Sequence, residues 1–259
     1  MLAINMPTLI PDALTQLWQV PGLGWLLLAI GVAGLVRGFA GFGTALIFVP
    51  VAGIFLPPRT IITVMVLTGM LSTFVLLPRA WAQGSRREVG VLAMAGLFTV
   101  PIGIWLLGQL DAIVIRWIVT IIAGSTLAAL LAGWRFTGHV NRAGLLLIGG
   151  TAGIIGGMTG LTGPVVILFY LAGQTSAQTV RANTIMFLAA LDIVIAGNLA
   201  LQGVVGLKDV VLAGALAVPY FITTMIGQSL FSPLYERLYR WLAFGVIGLA
   251  VLSGMPVWE

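Results

Sequence analysis

The sequence predicts an all-α integral membrane protein with two internal repeats of about five helical segments each. Three features predict this fold class: the composition, a series of apolar segments, and two glycine-rich interruptions at corresponding places in the two halves. Hydrophobic residues make up 60% of the chain and charged residues 7%, with a mean hydropathy of +1.14. A soluble domain carries about 25% charged residues. Such a chain could not cover a water-facing surface, so we expect it to cross a membrane several times.

Breaks at glycine and proline clusters and at charged residues divide the chain into ten apolar segments. In chain order they cover residues 17–36, 44–56, 60–82, 88–108, 113–134, 143–158, 164–173, 178–201, 209–231 and 238–256. A helix needs about 20 residues to span the hydrocarbon core. Segments 44–56 and 164–173 are too short for that, and each follows a glycine-rich break, GFAGFG or GGMTGLTGP.

The two breaks belong to an internal duplication. The sequence matches at displacements of 118 to 124 residues are Gly38 with Gly157, Gly41 with Gly160, Gln83–Gly84 with Gln202–Gly203, Val100–Pro101 with Val218–Pro219, Gly108–Gln109 with Gly227–Gln228, and Arg116–Trp117 with Arg240–Trp241. The alternative is chance similarity, since the chain is built mainly from a few residue types. We therefore divide the chain into an amphipathic lead-in (1–16), repeat 1 (17–138) and repeat 2 (139–259).

The arginines and lysines indicate how the repeats are oriented. If each break only kinks one span, the repeats are parallel and the positive residues divide six to five between the two sides. If the chain turns back or crosses again at each break, the repeats are inverted. One side then holds eight residues, Arg79, Arg86, Arg87, Arg135, Arg142, Arg181, Arg237 and Arg240, against Arg59, Arg116 and Lys208 on the other. The positive-inside rule favours the inverted arrangement with both termini outside.

The two breaks predict the functional site. Non-helical backbone survives at membrane depth only inside protein or beside a water-filled cavity, and paired breaks in two halves point to a transporter's midplane site. Helices that begin at Thr44 and Pro164 would direct unpaired N–H groups and positive dipole ends at a bound anion. The residues expected to line this site are Gly41, Phe42, Gly43, Thr44, Thr159, Gly160, Thr162 and Gly163. The alternatives are that the glycines serve close helix packing and that the threonines cap helix ends.

Four further polar residues are candidates for the site. Arg37 lies in an apolar segment, where a charge is costly and marks a functional residue, and its guanidinium fork suits oxyanions. Arg181 and Asn183, at the start of a helix in the second half, are predicted to bind the same ligand. Asp192, about three turns further on, is predicted to carry a coupling proton or cation. Structural roles compete for each of them: snorkelling for Arg181, helix contacts for Asn183, and an Arg37–Asp192 ion pair.

Other functional classes lack the residues that they require. The chain has no cysteine, and its single histidine, His139, has no carboxylates near it in the sequence, so no metal site is predicted. No GxSxG, HExxH or Walker pattern occurs, and we predict that the protein is not an enzyme. The net charge of +5 is attributed to positive residues retained on the cytoplasmic side rather than to nucleic-acid binding.

The same stretches resemble the sulfite exporter TauE/SafE family. The resemblance covers about residues 20–256 and is strongest in RGFAGFGTALIFVP (37–50), PPR (57–59), GGMTGLTGPVVILFYLAG (156–173) and VRAN (180–183). Many family members carry more consecutive glycines at the breaks, where this chain has Thr44 and Thr162. The resemblance implies transport of sulfite, sulfonates or related small organic anions, with no tightly bound cofactor.

We therefore expect a secondary transporter of a small anion in the cell inner membrane, working by alternating access. Its expected partners are the anion, a coupling proton or sodium ion, and membrane lipid, with a homodimer left open. The first rival hypothesis is an anion channel or passive facilitator on the same fold. The second is a membrane module of a larger complex without transport activity of its own.

Overall fold

The structure, a computed structural model, describes residues 15–133, 141–172, 177–230 and 236–257. Within these residues it is helical and contains no strand. Its ten helices are α1 (Leu23–Ala40), α2 (Thr44–Ala52), α3 (Pro58–Gln83), α4 (Arg86–Gln109), α5 (Ala112–Leu131), α6 (Arg142–Thr159), α7 (Gly163–Ala172), α8 (Ala177–Leu201), α9 (Leu207–Ser229) and α10 (Glu236–Gly254). Each corresponds to one predicted apolar segment, and the largest shift is at α1, which begins at Leu23 rather than at residue 17. Residues 1–14 of the predicted lead-in and the repeat boundary between 138 and 139 lie outside the described residues.

Seven of these helices are long and apolar enough to cross a membrane, namely α1, α3, α4, α5, α6, α8 and α9. The apolar part of α10 is shorter, Trp241–Gly254. The chain is therefore a multi-pass membrane protein. Helices α2 and α7 have 9 and 10 residues. At 1.5 Å per residue they reach only about 14–15 Å, half of the ~30 Å hydrocarbon core.

Left-handed glycines separate each short helix from the helix before it. Helix α1 ends at Ala40, after which Gly41 (φ 81°) and Gly43 (φ 101°) precede α2. Helix α6 ends at Thr159, and Gly160 (φ 78°) follows it before α7 begins. A residue with a side chain is strained at such positive φ angles, so glycine is needed at these turns.

In each half the chain returns toward the end from which it started. Gly22, just before α1, packs on the ring of Phe55, just after α2, so that a Cβ on Gly22 would lie 2.6 Å from Cγ of Phe55. In the second half, Gly149 in the middle of α6 packs on Leu92 in the second turn of α4, which sets the beginning of α6 beside the beginning of α4. Tyr170, near the end of α7, interacts with Glu88 of the same α4 end. The ends of α2 and α7 thus lie beside the beginnings of α1 and α6.

In two helix pairs the backbones lie so close together that a Cβ on the contacting glycines would not fit. Helices α1 and α9 meet where Gly38 faces Gly227, and a Cβ on Gly38 would lie 2.8 Å from the Gly227 Cα. Helices α4 and α6 meet where Gly103 faces Gly157, at a corresponding distance of 3.0 Å. Small residues allow such backbone contact between membrane helices, which gains van der Waals packing in place of a hydrophobic driving force. In both pairs the two helices run in the same direction.

Helices α3 and α8 cross between these two pairs and run in opposite directions. Gly69 of α3 lies against the carboxylate of Asp192 on α8, and Gly84, just after α3, lies against Asn183 near the start of α8. The Thr60 hydroxyl of α3 donates to Oδ1 of Asp209 on α9 at 2.9 Å, which ties the first turns of α3 and α9 together. This arrangement brings the middle of α8 beside the starts of α2 and α7.

Candidate functional site

A small cavity lies where the first turns of α2 and α7 meet the middle of α3, α8 and α9. It offers about 30 Å³ of space for the centres of water molecules, which is room for about two waters at roughly 10–15 Å³ each. Its walls are formed by Arg37, Phe42, Gly43, Thr44, Ala45, Leu46, Met65, Val66, Gly69, Gly160, Thr162, Gly163, Pro164, Ile167, Leu188, Asp192, Ile195 and Tyr220. Helices from both halves of the chain therefore contribute to one site.

Arg37 is the positive charge of this cavity. It lies in the last turn of α1 and is 4% exposed. Its Nε and Nη2 are both buried without a hydrogen-bond partner. These two nitrogens lie on one edge of the guanidinium, the edge that forms a bidentate fork with two oxygens of a carboxylate or another oxyanion. An unpaired buried donor costs about 1–3 kcal/mol, and more when it is charged, so the fork is poised for an acceptor.

Asp192 is the negative charge of the same cavity. It lies in the middle of α8, and its carboxylate packs on Gly69, where a Cβ would lie 3.2 Å from Cγ of Asp192. Arg37 and Asp192 interact electrostatically. The Nε and Nη2 of Arg37 nevertheless make no hydrogen bond to the carboxylate. The opposite charges thus line one cavity and leave the guanidinium fork available.

Two buried hydroxyls form a hydrogen bond between α2 and α9. Oγ1 of Thr44 and the phenolic oxygen of Tyr220 are 2.9 Å apart and share a hydrogen bond. Thr44 is the first residue of α2, and Tyr220 lies in the middle of α9. Both line the cavity. Thr44 was predicted from the sequence, whereas Tyr220 was not.

The first turn of α2 presents backbone donors to the cavity. Its first intrahelical bond runs from the Ile47 N–H to the Gly43 carbonyl, and no side chain caps the helix. The N–H groups of Thr44, Ala45 and Leu46 therefore have no acceptor within the helix. Because these three residues line the cavity, the positive end of the helix dipole lies beside Arg37.

Four predicted site residues lie away from the cavity walls. Gly41 packs on the side chain of Arg181, whose Nη2 donates to the Gly38 carbonyl at 2.6 Å. Asn183 accepts a hydrogen bond from the Ser85 N–H through its Oδ1 at 2.7 Å. Thr159 donates to the Ile155 carbonyl at 2.7 Å and lines a second, smaller cavity. Ligand contacts for these four residues stay predictions.

The cavity also includes residues that the sequence did not suggest. Besides Tyr220, the clearest is Gly69, which lets the Asp192 carboxylate approach the α3 backbone. No group of three His, Cys, Asp or Glu side chains lies together in the part of the chain that the structure describes. His139 lies outside that part.

Comparison with known proteins identifies the family. The model of the family described as sulfite exporter TauE/SafE matches residues 26–254, which is most of the chain. The chain belongs to the TauE/SafE family. Membership makes it a membrane transporter rather than an enzyme, and indicates an exporter of sulfite or a sulfonate. No individual curated protein or solved structure matches the chain significantly.

The family match covers both short helices and every residue of the cavity. It confirms the resemblance found in the sequence. A TauE/SafE transporter binds a small anionic substrate and is surrounded by lipid, which agrees with the long apolar helices.

Proposed function

We propose that this TauE/SafE chain is a secondary transporter that binds sulfite, an organic sulfonate or a related organic anion in the cavity between α2 and α7. The observation that carries the proposal is the Arg37 fork, which has two buried donors without partners. The N–H groups of the first turn of α2, which have no acceptor within the helix, add donors to the same cavity. A positive fork beside a helix N-terminus is the arrangement that binds an oxyanion.

The charges of the cavity support coupling to a cation. Arg37 and Asp192 balance each other when the site is empty, so a bound monovalent anion adds one uncompensated negative charge. A net charge is costly at membrane depth. A proton on Asp192, or a sodium ion beside it, would restore neutrality. We propose that Asp192 carries this coupling ion.

We further propose that the two halves are inverted repeats and that α1–α2 and α6–α7 are re-entrant hairpins. Their short helices begin at the cavity, and each hairpin returns to its own starting side. The close glycine contacts between α1 and α9 and between α4 and α6, here called the glycine crossings, support this proposal. The residues of one crossing correspond in the repeat to the residues of the other. Adding 119 to Gly34 and Gly38 gives Gly153 and Gly157, and adding 124 to Gly103 gives Gly227. In such transporters one part moves against the other around a midplane site. Alternating access in the cell inner membrane follows as the proposed mechanism and location.

The test is calorimetric titration of purified Arg37→Ala and Arg37→Lys with sulfite and methanesulfonate. A hydrogen bond to a charged group is worth about 1.5–3 kcal/mol, so Arg37→Ala should weaken binding by about tenfold or more. Arg37→Lys should recover only part of this loss, because an ammonium lacks the planar fork.

The matched control is Arg87→Ala, which removes an exposed arginine outside the cavity and should leave the affinity unchanged. Thermal unfolding identifies variants that remain folded. If well-folded Arg37→Ala binds both anions with wild-type affinity, the cavity is not the anion site.

A further inference from the structure

Tyr220 lines the cavity but belongs neither to the proposed anion-binding fork of Arg37 nor to the proposed coupling site at Asp192. It is 1% exposed and lies in the middle of an apolar helix, where a hydroxyl requires a partner. Among the described residues, its one hydrogen bond is the one shared with Thr44. A phenylalanine would fill the same space without that requirement.

The Thr44–Tyr220 hydroxyl pair has two O–H protons, of which the hydrogen bond between them uses one. Each hydroxyl has one O–H donor and two acceptor lone pairs. When Thr44 and Tyr220 share one hydrogen bond, one of the two protons is used and the other is left. If Thr44 donates to the phenolic oxygen, the Tyr220 proton is free to point into the cavity. The pair then presents an oriented donor, and the hydrogen bond from Thr44 strengthens it.

Helix packing brings this donor and the Arg37 fork to the same cavity. A Cβ on Gly34 would lie 3.0 Å from Cδ2 of the Tyr220 ring, and Gly38 packs on the α9 backbone one turn further along. Arg37 lies between these two glycines on α1, and residues three or four apart share one face of a helix. Arg37 and Tyr220 therefore reach the cavity from adjacent helices at the same level.

We infer that the Tyr220 hydroxyl, oriented by Thr44, binds the third oxygen of a three-oxygen anion and so selects sulfonate or sulfite groups over carboxylates. This inference rests on the proposed anion site. The Arg37 fork takes two oxygens, and a carboxylate has no third oxygen to offer. A site built to hydrogen-bond a substrate atom rejects analogues that lack the atom, because its buried donor then stays unpaired.

The experiment compares methanesulfonate with acetate, which differ in the oxyanion and share the methyl group. Calorimetric titrations of the purified full chain use wild type, Tyr220→Phe and Thr44→Val. Tyr220→Phe should weaken methanesulfonate binding about tenfold and change acetate binding less than about twofold, in line with the loss of one hydrogen bond to a charged group. Thr44→Val removes only the orienting partner and should reduce the preference for methanesulfonate by about threefold. Thr44→Ser should restore it.

The matched control is Tyr170→Phe, because Tyr170 is also a buried tyrosine but lies outside the cavity walls. It should leave both affinities unchanged. An equal loss for both anions in Tyr220→Phe, or an unchanged preference in folded Tyr220→Phe and Thr44→Val, overturns the inference. If Arg37→Ala also has no effect on either anion, the proposed function itself has failed, whereas an effect of Arg37→Ala alone leaves that function standing.

Discussion

Arg37 and Asp192 are the site residues most readily predicted from the sequence, because a charge inside an apolar segment is costly and needs a reason. The structure buries both against one cavity. Tyr220 gives no comparable signal, since tyrosine also occurs as packing in apolar helices and in interfacial belts. Only the packing of α9 against α1 brings its hydroxyl to Thr44, and helix pairing cannot be read from one sequence.

Arg181 and Asn183 illustrate a second limit at the residue scale. Their position at the start of α8 and their donor groups are visible in the sequence, and they are predicted to bind the ligand. In the structure, hydrogen bonds join them to backbone groups of distant elements, the Gly38 carbonyl and the Ser85 N–H. A side chain that bonds distant backbone cannot be told from a ligand-binding one by its sequence context.

Asp192→Asn tests the proposed coupling. Asparagine keeps the size of the side chain but has neither a negative charge nor a proton to exchange. In proteoliposomes, anion accumulation driven by an imposed proton or sodium gradient should fall to background. Counterflow exchange, which needs no net movement of the coupling ion, should remain close to the wild-type rate.

Asp111→Asn is the control for this prediction, because Asp111 is an exposed residue at the start of α5. It should leave both transport modes unchanged. Wild-type accumulation by Asp192→Asn would return Asp192 to a structural role. Wild-type flux that ignores both gradients would favour the passive facilitator.

At the scale of elements, the sequence predicts which segments are helical better than it predicts how they pair. Long apolar runs and glycine breaks mark the helices because membrane burial leaves few alternatives. Glycine matches alone do not define the register between the repeats, because glycine is frequent in this chain. The helix contacts pair Gly103 of α4 with Gly227 of α9, which is a displacement of 124 residues. The Arg116–Trp117 match suggests the same value. The Val100–Pro101 and Gly108–Gln109 matches suggest 118 and 119 instead.

The glycine crossings give a prediction about stability. A Cβ on Gly103 would overlap the Ile154 carbonyl of α6, and one on Gly227 would overlap the Leu35 carbonyl of α1. Backbone cannot yield as a flexible side chain does, and overpacking costs about 1–3 kcal/mol or more. Gly103→Leu and Gly227→Leu should each lower the Tm in detergent by roughly 3–10 °C.

Gly90→Leu is the control on α4, because a Cβ there meets nothing within 4 Å. It should match or exceed the wild-type Tm, since leucine favours helix more than glycine does. The measurement is thermal unfolding of monodisperse protein. A Tm unchanged in Gly103→Leu and Gly227→Leu would contradict the backbone contacts on which the correspondence of the two crossings rests.

At the scale of the whole molecule, composition alone is enough to predict a helical membrane protein. Which end of each helix faces the cytoplasm depends instead on how the charged residues are grouped in space. Arg181 and Arg79 lie close enough to repel each other, and Asn183 bonds to the α3–α4 connection at the same end. The Thr60–Asp209 hydrogen bond places the first turns of α3 and α9, and with them Arg59 and Lys208, together at the opposite end. These contacts group Arg79 with Arg181 and Arg59 with Lys208, which is the grouping that the proposed inverted arrangement has for these four residues.

This grouping predicts the membrane topology. In the inverted arrangement eight arginines lie on one side, against two arginines and one lysine on the other. Cytoplasmic loops carry the excess of positive charge, so the α3–α4 connection and the stretch 135–142 should face the cytoplasm. The N-terminus and Glu259 should then both lie outside. Paired reporter fusions, one active only in the cytoplasm and one only outside, should be made at Glu259, at residue 84 and ahead of residue 15. A cytoplasmic signal at Glu259 together with one at residue 84 would exclude this topology, because α10 would then fail to cross back.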